Sequence, residues 1–189
     1  MKSGHSRVIT RRALLCACST AVLFPAPLYA NALGALRSSG DVRRLRMYST
    51  RTGEGIDTVY WIDGDYISEA LAEISFFMRD WRNDSKINID PRVLDIMAAA
   101  YSLLDTDEPY SLISGYRSPE TNEMLRRRSS GVARNSRHLF GEAADLRLKS
   151  RSVDQMFRAA NAVSSGGVGR YSQSGFVHLD CGPVRNWGI

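Results

Sequence analysis

Apolar residues recur along this chain with two different periods, and the switches between them mark out its elements. From Val42 to Ser49 and from Ile56 to Ile62 they alternate with polar residues, the period of a half-buried strand. Asp63-Gly64 supplies a turn between Ile62 and Tyr66, which predicts a hairpin. Leu71, Ile74, Phe77, Met78 and Trp81 then fall at helical spacing, predicting an amphipathic helix over 68–81. Asp90-Pro91 provides an N-cap and a first-turn proline for a second helix running to about Leu104, and Ser118-Pro119-Glu120 opens a third in the same way. A strand is expected over 112–116, a helix over 153–163 ended by Gly166-Gly167, and further strands over 143–148, 168–171 and 176–181. Helices come mostly before the late cluster of strands, so the pattern predicts an α+β fold, an antiparallel sheet backed by helices. At 189 residues the chain is expected to form one domain.

The late strands carry the chemistry. Alternation puts Ala143, Asp145 and Arg147 on one face of their strand, and Phe176, His178 and Asp180 on one face of theirs. Neighbouring strands can therefore present Asp145 and His178 together, and His138 can reach the same point from the loop that turns at Gly141. A histidine near an aspartate is ordinarily just a hydrogen-bonded pair. Here two such pairs fall on or beside strand faces, and the third histidine, His5, lies in a segment read below as a removed signal. Two imidazoles and one carboxylate would leave one position of a tetrahedral Zn2+ open for water, the arrangement of a catalytic site.

The formal charge of +5 is misleading in this context. Residues 1–32 hold Lys2, Arg7, Arg11 and Arg12 and no acid, leaving 21 basic against 20 acidic residues in the remainder. That near balance gives no reason to expect a nucleic-acid partner. Arg126-Arg127-Arg128 with Arg134 and Arg137 forms one basic cluster, either a solvated helix end and loop or a surface attracted to an acidic glycan polymer. The first 32 residues read as a cleaved export signal: Arg11-Arg12, an uncharged run to Phe24, two prolines, then Ala30-Asn31-Ala32 as a small-x-small cleavage site. The run is too short to span a bilayer, so a membrane is met only during export. The paired arginine suggests the twin-arginine route, with an ordinary Sec signal as the alternative. Residues 33–41 read as a flexible leader. Cys16 and Cys18 leave with the signal, and Cys181, facing away from His178, is expected to be a buried apolar residue rather than a ligand.

The segment Ser136-x-His138-x-x-Gly141-x-Ala143-x-Asp145, with the later His178, resembles the signature of the zinc D-Ala-D-Ala peptidase superfamily, which includes the zinc domain of hedgehog proteins. Ser114-Gly115-Tyr116-Arg117-Ser118, Thr121-Asn122, the run Gly166 to Tyr171 and the run Phe176 to Trp187 narrow the resemblance to the YcbK-like murein endopeptidases, over roughly 42–187. The resemblance implies a hedgehog/DD-peptidase-like zinc fold over 42–189, with His138, Asp145 and His178 as Zn2+ ligands. It also implies that Arg117 holds the substrate carbonyl or the developing oxyanion. The implied partner is the peptide stem of peptidoglycan in the periplasm, cut at diaminopimelate–diaminopimelate cross-links or, more weakly, at D-Ala–diaminopimelate links.

The chain departs from better-known relatives at the general base. D-Ala-D-Ala dipeptidases place a glutamate three residues before the last ligand, and some endopeptidases a histidine two before it; Gly175 and Phe176 stand here. Asp180 is the nearest carboxylate on the right face, and it either takes the proton of the attacking water or orients a ligand. Glu142 is expected to be exposed. Ser136, Tyr171 and Arg185 are candidates for the cleft lining, and Trp187 for the core or the cleft wall. Two alternatives compete: a D-Ala-D-Ala carboxypeptidase or dipeptidase, binding a terminal carboxylate through Arg117 or Arg137, and a non-catalytic zinc-stabilised cell-wall-binding domain.

Overall fold

A computed structural model describes residues 42–188, so the expected signal, its cysteines, His5 and the leader lie outside the described residues. The chain runs β1 (Val42–Ser49), β2 (Gly55–Ile62), β3 (Asp65–Tyr66), α1 (Ser68–Phe77), α2 (Pro91–Ser102), β4 (Tyr110–Ser114) and α3 (Pro119–Arg128). A 3-10 turn (Arg137–Phe140), β5 (Ala143–Arg147), α4 (Val153–Val163), β6 (Gly167–Tyr171), β7 (Phe176–Asp180) and β8 (Arg185–Gly188) follow. The strands form one eight-stranded sheet in the order β3-β2-β1-β4-β5-β7-β6-β8.

The α+β class and the helix-backed sheet are as expected, but the sheet is mixed rather than wholly antiparallel. β1 pairs with β4 in parallel, a geometry that needs a long crossover, and α1 and α2 supply it. β6 and β8 are also parallel, with β7 returning between them in sequence. β8 itself is an addition to the expected strands.

α2 is the pillar of the core. Val93, Leu94, Ile96, Met97 and Ala98 to Ala100 are all buried, and the helix packs against α4, β1 and β7. Asp90 caps it by accepting from the Arg92 backbone N–H at 2.9 Å, with Pro91 in the first turn, as the sequence predicts. Ser118 caps α3 in the same manner, accepting from Thr121 N–H at 3.2 Å.

Two boundaries and one helix stop differ from expectation. α1 stops at Phe77 instead of Trp81 because the next residues are committed elsewhere: the Met78 carbonyl accepts from Tyr116 N–H, and buried Asp80 accepts from the backbone of Arg82 and Ser118. β4 sits at Tyr110–Ser114 rather than 112–116, because Tyr116 is held by that same contact with Met78. α4 ends on Ser164, itself left-handed at φ 50°, before the glycine pair is reached.

One buried charge pins the N-terminal hairpin to the pillar. Asp95, fully buried on α2, accepts from Arg43 Nη1 at 2.8 Å, Tyr60 Oη at 3.0 Å and Tyr66 Oη at 2.6 Å. Arg43 also stacks its guanidinium 4.0 Å from the centre of the Trp61 ring. Asp95→Ala leaves a buried guanidinium without its counter-charge, so we expect a loss of about 3–5 kcal/mol in urea-induced unfolding. An unfolding midpoint equal to wild type would refute this role.

Candidate metal centre

The register between β5 and β7 sets Asp145 opposite His178 and Ala143 opposite Asp180. Alternation puts these four on one face, while Ala144, Leu146, Val177 and Leu179 turn into the core on the other. His138 arrives from the 3-10 turn, not from the open loop expected. That turn is closed by Gly141 at φ 68°, where a side chain would also run into the Asn88 carbonyl, so glycine is required. The Gly141 carbonyl accepts from Asp90 N–H at 3.0 Å, tying the turn to the start of α2.

His138 Nε2, Asp145 Oδ1 and His178 Nδ1 meet at one point. Their separations are 3.2 Å (His138–Asp145), 3.2 Å (His138–His178) and 2.8 Å (His178–Asp145). Ligands about 2.0–2.1 Å from a tetrahedral zinc stand roughly 3.3 Å apart, so the spacing fits such an ion with little adjustment. The three residues are only 1 %, 3 % and 8 % exposed.

Hydrogen bonding fixes which ring nitrogens are free. His138 Nδ1 lies 2.6 Å from the Gly115 carbonyl, which can only accept, so Nδ1 carries the proton and Nε2 presents a lone pair. His178 Nε2 lies 3.0 Å from Asp180 Oδ2 and donates to it, leaving Nδ1 as the lone pair. Two imidazole lone pairs and a carboxylate oxygen thus converge with no proton between them, the donor set a divalent metal ion takes. Among the described residues these three alone form a group of metal-ligating side chains this close together.

Electrostatics act in the same sense at His138 and Asp145 and in the opposite sense at His178. Burial pushes the His138 imidazole down to about 4. Burial alone would raise Asp145, but His138 and the Arg117 guanidinium hold it well below the usual carboxylate range. Burial would lower His178, yet its hydrogen bonds to Asp145 and Asp180 raise it. Asp180 is depressed, since His178 and Arg185 outweigh its burial.

Asp180 is wholly enclosed. It accepts from His178, from Arg185 through both carboxylate oxygens (3.0 and 2.6 Å), and from the backbone N–H of Gly182 (2.8 Å) and Gly167 (3.3 Å). It stands behind His178 and is absent from the residues lining the cavity, so of the two roles open to it this position suits orientation of the imidazole. Arg117 lines the cavity, donating through Nη2 to Asp145 Oδ2 and through Nε to Ser114 Oγ at 2.9 Å. In sequence Ser114 and Gly115 stand out only as part of the run Ser114 to Ser118; their contacts to Arg117 and His138 come from the fold.

A cavity of about 520 Å³ opens over the centre. The loop from Ser129 to Asn135 forms one wall, anchored where Asn122 Nδ2 donates to the Ala133 carbonyl at 3.2 Å. Tyr171, Phe176, Arg185 and Trp187 line the cavity as well, so the expected lining residues Ser136, Tyr171 and Arg185 all reach the cleft and Trp187 is cleft wall. Phe176 was readable from its place on the His178 face. Arg137 also lines the cavity, paired with Glu142 at 2.5 Å, so Glu142 is half-buried rather than exposed. Arg127 and Arg128 of the basic cluster are solvent-exposed. Cys181 is partly buried against the core, its thiol pushed up to about 12 by burial, as suits an apolar filler.

The sequence model of the peptidoglycan L,D-endopeptidase MepK family matches residues 37–187. The chain is 39 % identical over 167 residues to the peptidoglycan L,D-endopeptidase MepK of Escherichia coli strain K12, covering 88 % of this chain and 89 % of that protein. It is 33 % identical over 158 residues to the probable peptidoglycan L,D-endopeptidase MepK of Haemophilus influenzae, covering 83 % and 85 %.

Zinc titration of the metal-free protein checks the centre directly. His138→Ala, Asp145→Ala and His178→Ala are each expected to abolish stoichiometric zinc uptake, and Asp180→Asn to weaken it about 10- to 100-fold. Full zinc occupancy in any one of the alanine variants would remove that residue from the ligand set.

Proposed function

The chain belongs to the peptidoglycan L,D-endopeptidase MepK family, and from this membership and the geometry of its centre we propose a zinc-dependent hydrolase of peptidoglycan cross-links, acting between two diaminopimelate residues. The observation that carries the reading is the convergence of His138 Nε2, Asp145 Oδ1 and His178 Nδ1, none more than 3.2 Å from the next, in the wall of an open cavity. A bound zinc ion would supply Lewis acidity, activating water and polarising the scissile carbonyl. His138, Asp145 and His178 hold it; Gly115 and Asp180 fix the ring orientations. Arg117 locks the outer oxygen of Asp145 and brings fixed positive charge to the side of the cavity where the carbonyl oxygen gains negative charge.

Substrate choice follows from bond chemistry. A link from the L-centre carboxyl of one diaminopimelate to the D-centre amine of the next is an L,D amide, whereas D-Ala-D-Ala is not. Its flanking carboxylates suit a cleft that presents the guanidinium groups of Arg117, Arg137 and Arg185. Each of these is already paired with an internal acid, which suits contact with an extended stem better than capture of one terminal carboxylate. Cross-linked muropeptide dimers are therefore expected to be split to monomers, and free D-Ala-D-Ala to be left almost untouched, in a chromatographic time course at matched concentrations with and without chelator. Chelator-sensitive release of D-Ala from the dipeptide, with dimers intact, would overturn this reading.

We place the enzyme in the periplasm, delivered through the twin-arginine route by Arg11-Arg12. Changing both arginines to lysine keeps the charge a Sec signal needs, yet is expected to leave the precursor uncut in the cytoplasm. Normal processing of that variant would assign export to Sec.

A further inference from the structure

The hydrolysis proposed above develops negative charge on the scissile carbonyl oxygen, and Arg117 has its Nη2 and Nε committed to Asp145 and Ser114. A second, directional donor also lines the cavity. Tyr171 lines the cavity at the end of β6, on the same sheet face as His178 and Phe176. Its ring is fixed by stacking on Phe176, with centroids 4.6 Å apart and planes at 14°. Its hydroxyl accepts a hydrogen bond from Trp187 Nε1 at 3.1 Å. The indole N–H can only donate, so the phenol uses a lone pair there and keeps its own proton free. No described residue accepts that proton.

Trp187 is itself placed by the sheet. In the parallel register of β6 and β8 it sits beside Gly169, the residue that also pairs with His178 across β6 and β7. A Cβ on Gly169 would come within 2.6 Å of the indole ring, so the missing side chain is what lets the tryptophan lie over the strand. The ring then packs 5.4 Å from the His178 ring, which puts the Trp187–Tyr171 pair next to the centre.

We propose that Tyr171 is a catalytic residue that donates a hydrogen bond to the oxyanion formed from the scissile carbonyl, and that Trp187 is the positioning residue that turns its hydroxyl proton into the cavity. The bond changes balance without the phenol losing its proton. The water oxygen bonds to the carbonyl carbon as the carbonyl π pair moves onto oxygen, where Tyr171 donates. When that pair returns, the C–N bond breaks and the leaving nitrogen carries off the proton that came from the water. The donor matters only while the oxygen bears charge, so it acts on the transition state and scarcely on substrate binding.

This rests on the cross-link endopeptidase reading, and the test separates the two. Tyr171→Phe keeps the stacked ring and deletes only the hydroxyl. It is expected to lower kcat on cross-linked dimers about 10²–10³-fold with KM changed less than about 2-fold. Zinc content stays at wild type. Binding of a phosphinate analogue of the cross-link, followed by calorimetry, is expected to weaken by a similar factor. Trp187→Phe, which removes the orienting N–H, shifts kcat and phosphinate binding in the same direction by less. A Tyr171→Phe enzyme with wild-type kcat and phosphinate affinity overturns the proposal, and so does a loss that tracks with lost zinc, since that marks a structural role. Wild-type protein that leaves the dimers uncut overturns the endopeptidase reading, and this proposal with it.

Discussion

Two imidazole lone pairs and a carboxylate oxygen within 3.2 Å of one another, nearly sealed from water, repel unless a cation sits among them. That constraint governs the architecture of this half of the molecule. Ring nitrogens so close in a hydrated pocket would share a proton or drift apart. Here each ring is held from behind, His138 by the Gly115 carbonyl and His178 by Asp180, so neither can turn its protonated nitrogen inward. The fold contributes the cost of gathering these donor atoms in advance, and a bound metal ion would return it as stability.

Such holding depends on strand register. A slip of one residue between β5 and β7 would carry Asp145 or His178 to the opposite face, where Ala144, Leu146, Val177 and Leu179 now fill the core. The apolar residues thus lock the ligands without touching them: the pairing that buries Leu146 and Val177 is the pairing that aligns Asp145 with His178. His138 is fixed differently, by a left-handed glycine and a hydrogen bond to the cap of α2. Two strands and one turn arrive from separate parts of the sequence, and the pillar helix α2 packs against β7 and ties down the turn at its cap.

What could be read in the sequence was what local physics decides. Alternation over 143–148 and 176–181 placed both strand-borne ligands on one face, and Asp-Pro and Ser-Pro caps marked α2 and α3, because these signals act within a few residues. The ends of α1 and β4 were hidden because they depend on Asp80 and Met78 reaching partners near Ser118 and Tyr116, some forty residues away. β8 was hidden for a related reason: Arg-Asn-Trp-Gly shows no apolar alternation, and its strand exists through pairing with β6 and the ion pair from Arg185 to Asp180. Arg43 looks like a surface residue in sequence; only the fold reveals the buried Asp95 that receives it. Asp180 lay on the correct face in sequence, but its enclosure, which suits orientation better than proton transfer, is a property of the packed structure.

Charge accounting around the centre explains why such a site is suited to electrophilic chemistry. Asp145 is matched by Arg117 and Asp180 by Arg185, and the two imidazoles would be neutral in the tautomers that present lone pairs to a metal ion. Glu142 and Arg137 at the rim form a third balanced pair. In that ligating form the side chains of the assembly carry no net charge of their own. A divalent cation entering it meets donor atoms of the right geometry without an excess of negative charge to quench its field. Most of its positive charge remains directed at the open cavity, where water, the polarised carbonyl and the carboxylates of an anionic stem peptide would lie. The arginines behind the two carboxylates thus hold these donors in place and would also keep a bound metal ion's charge available to a substrate.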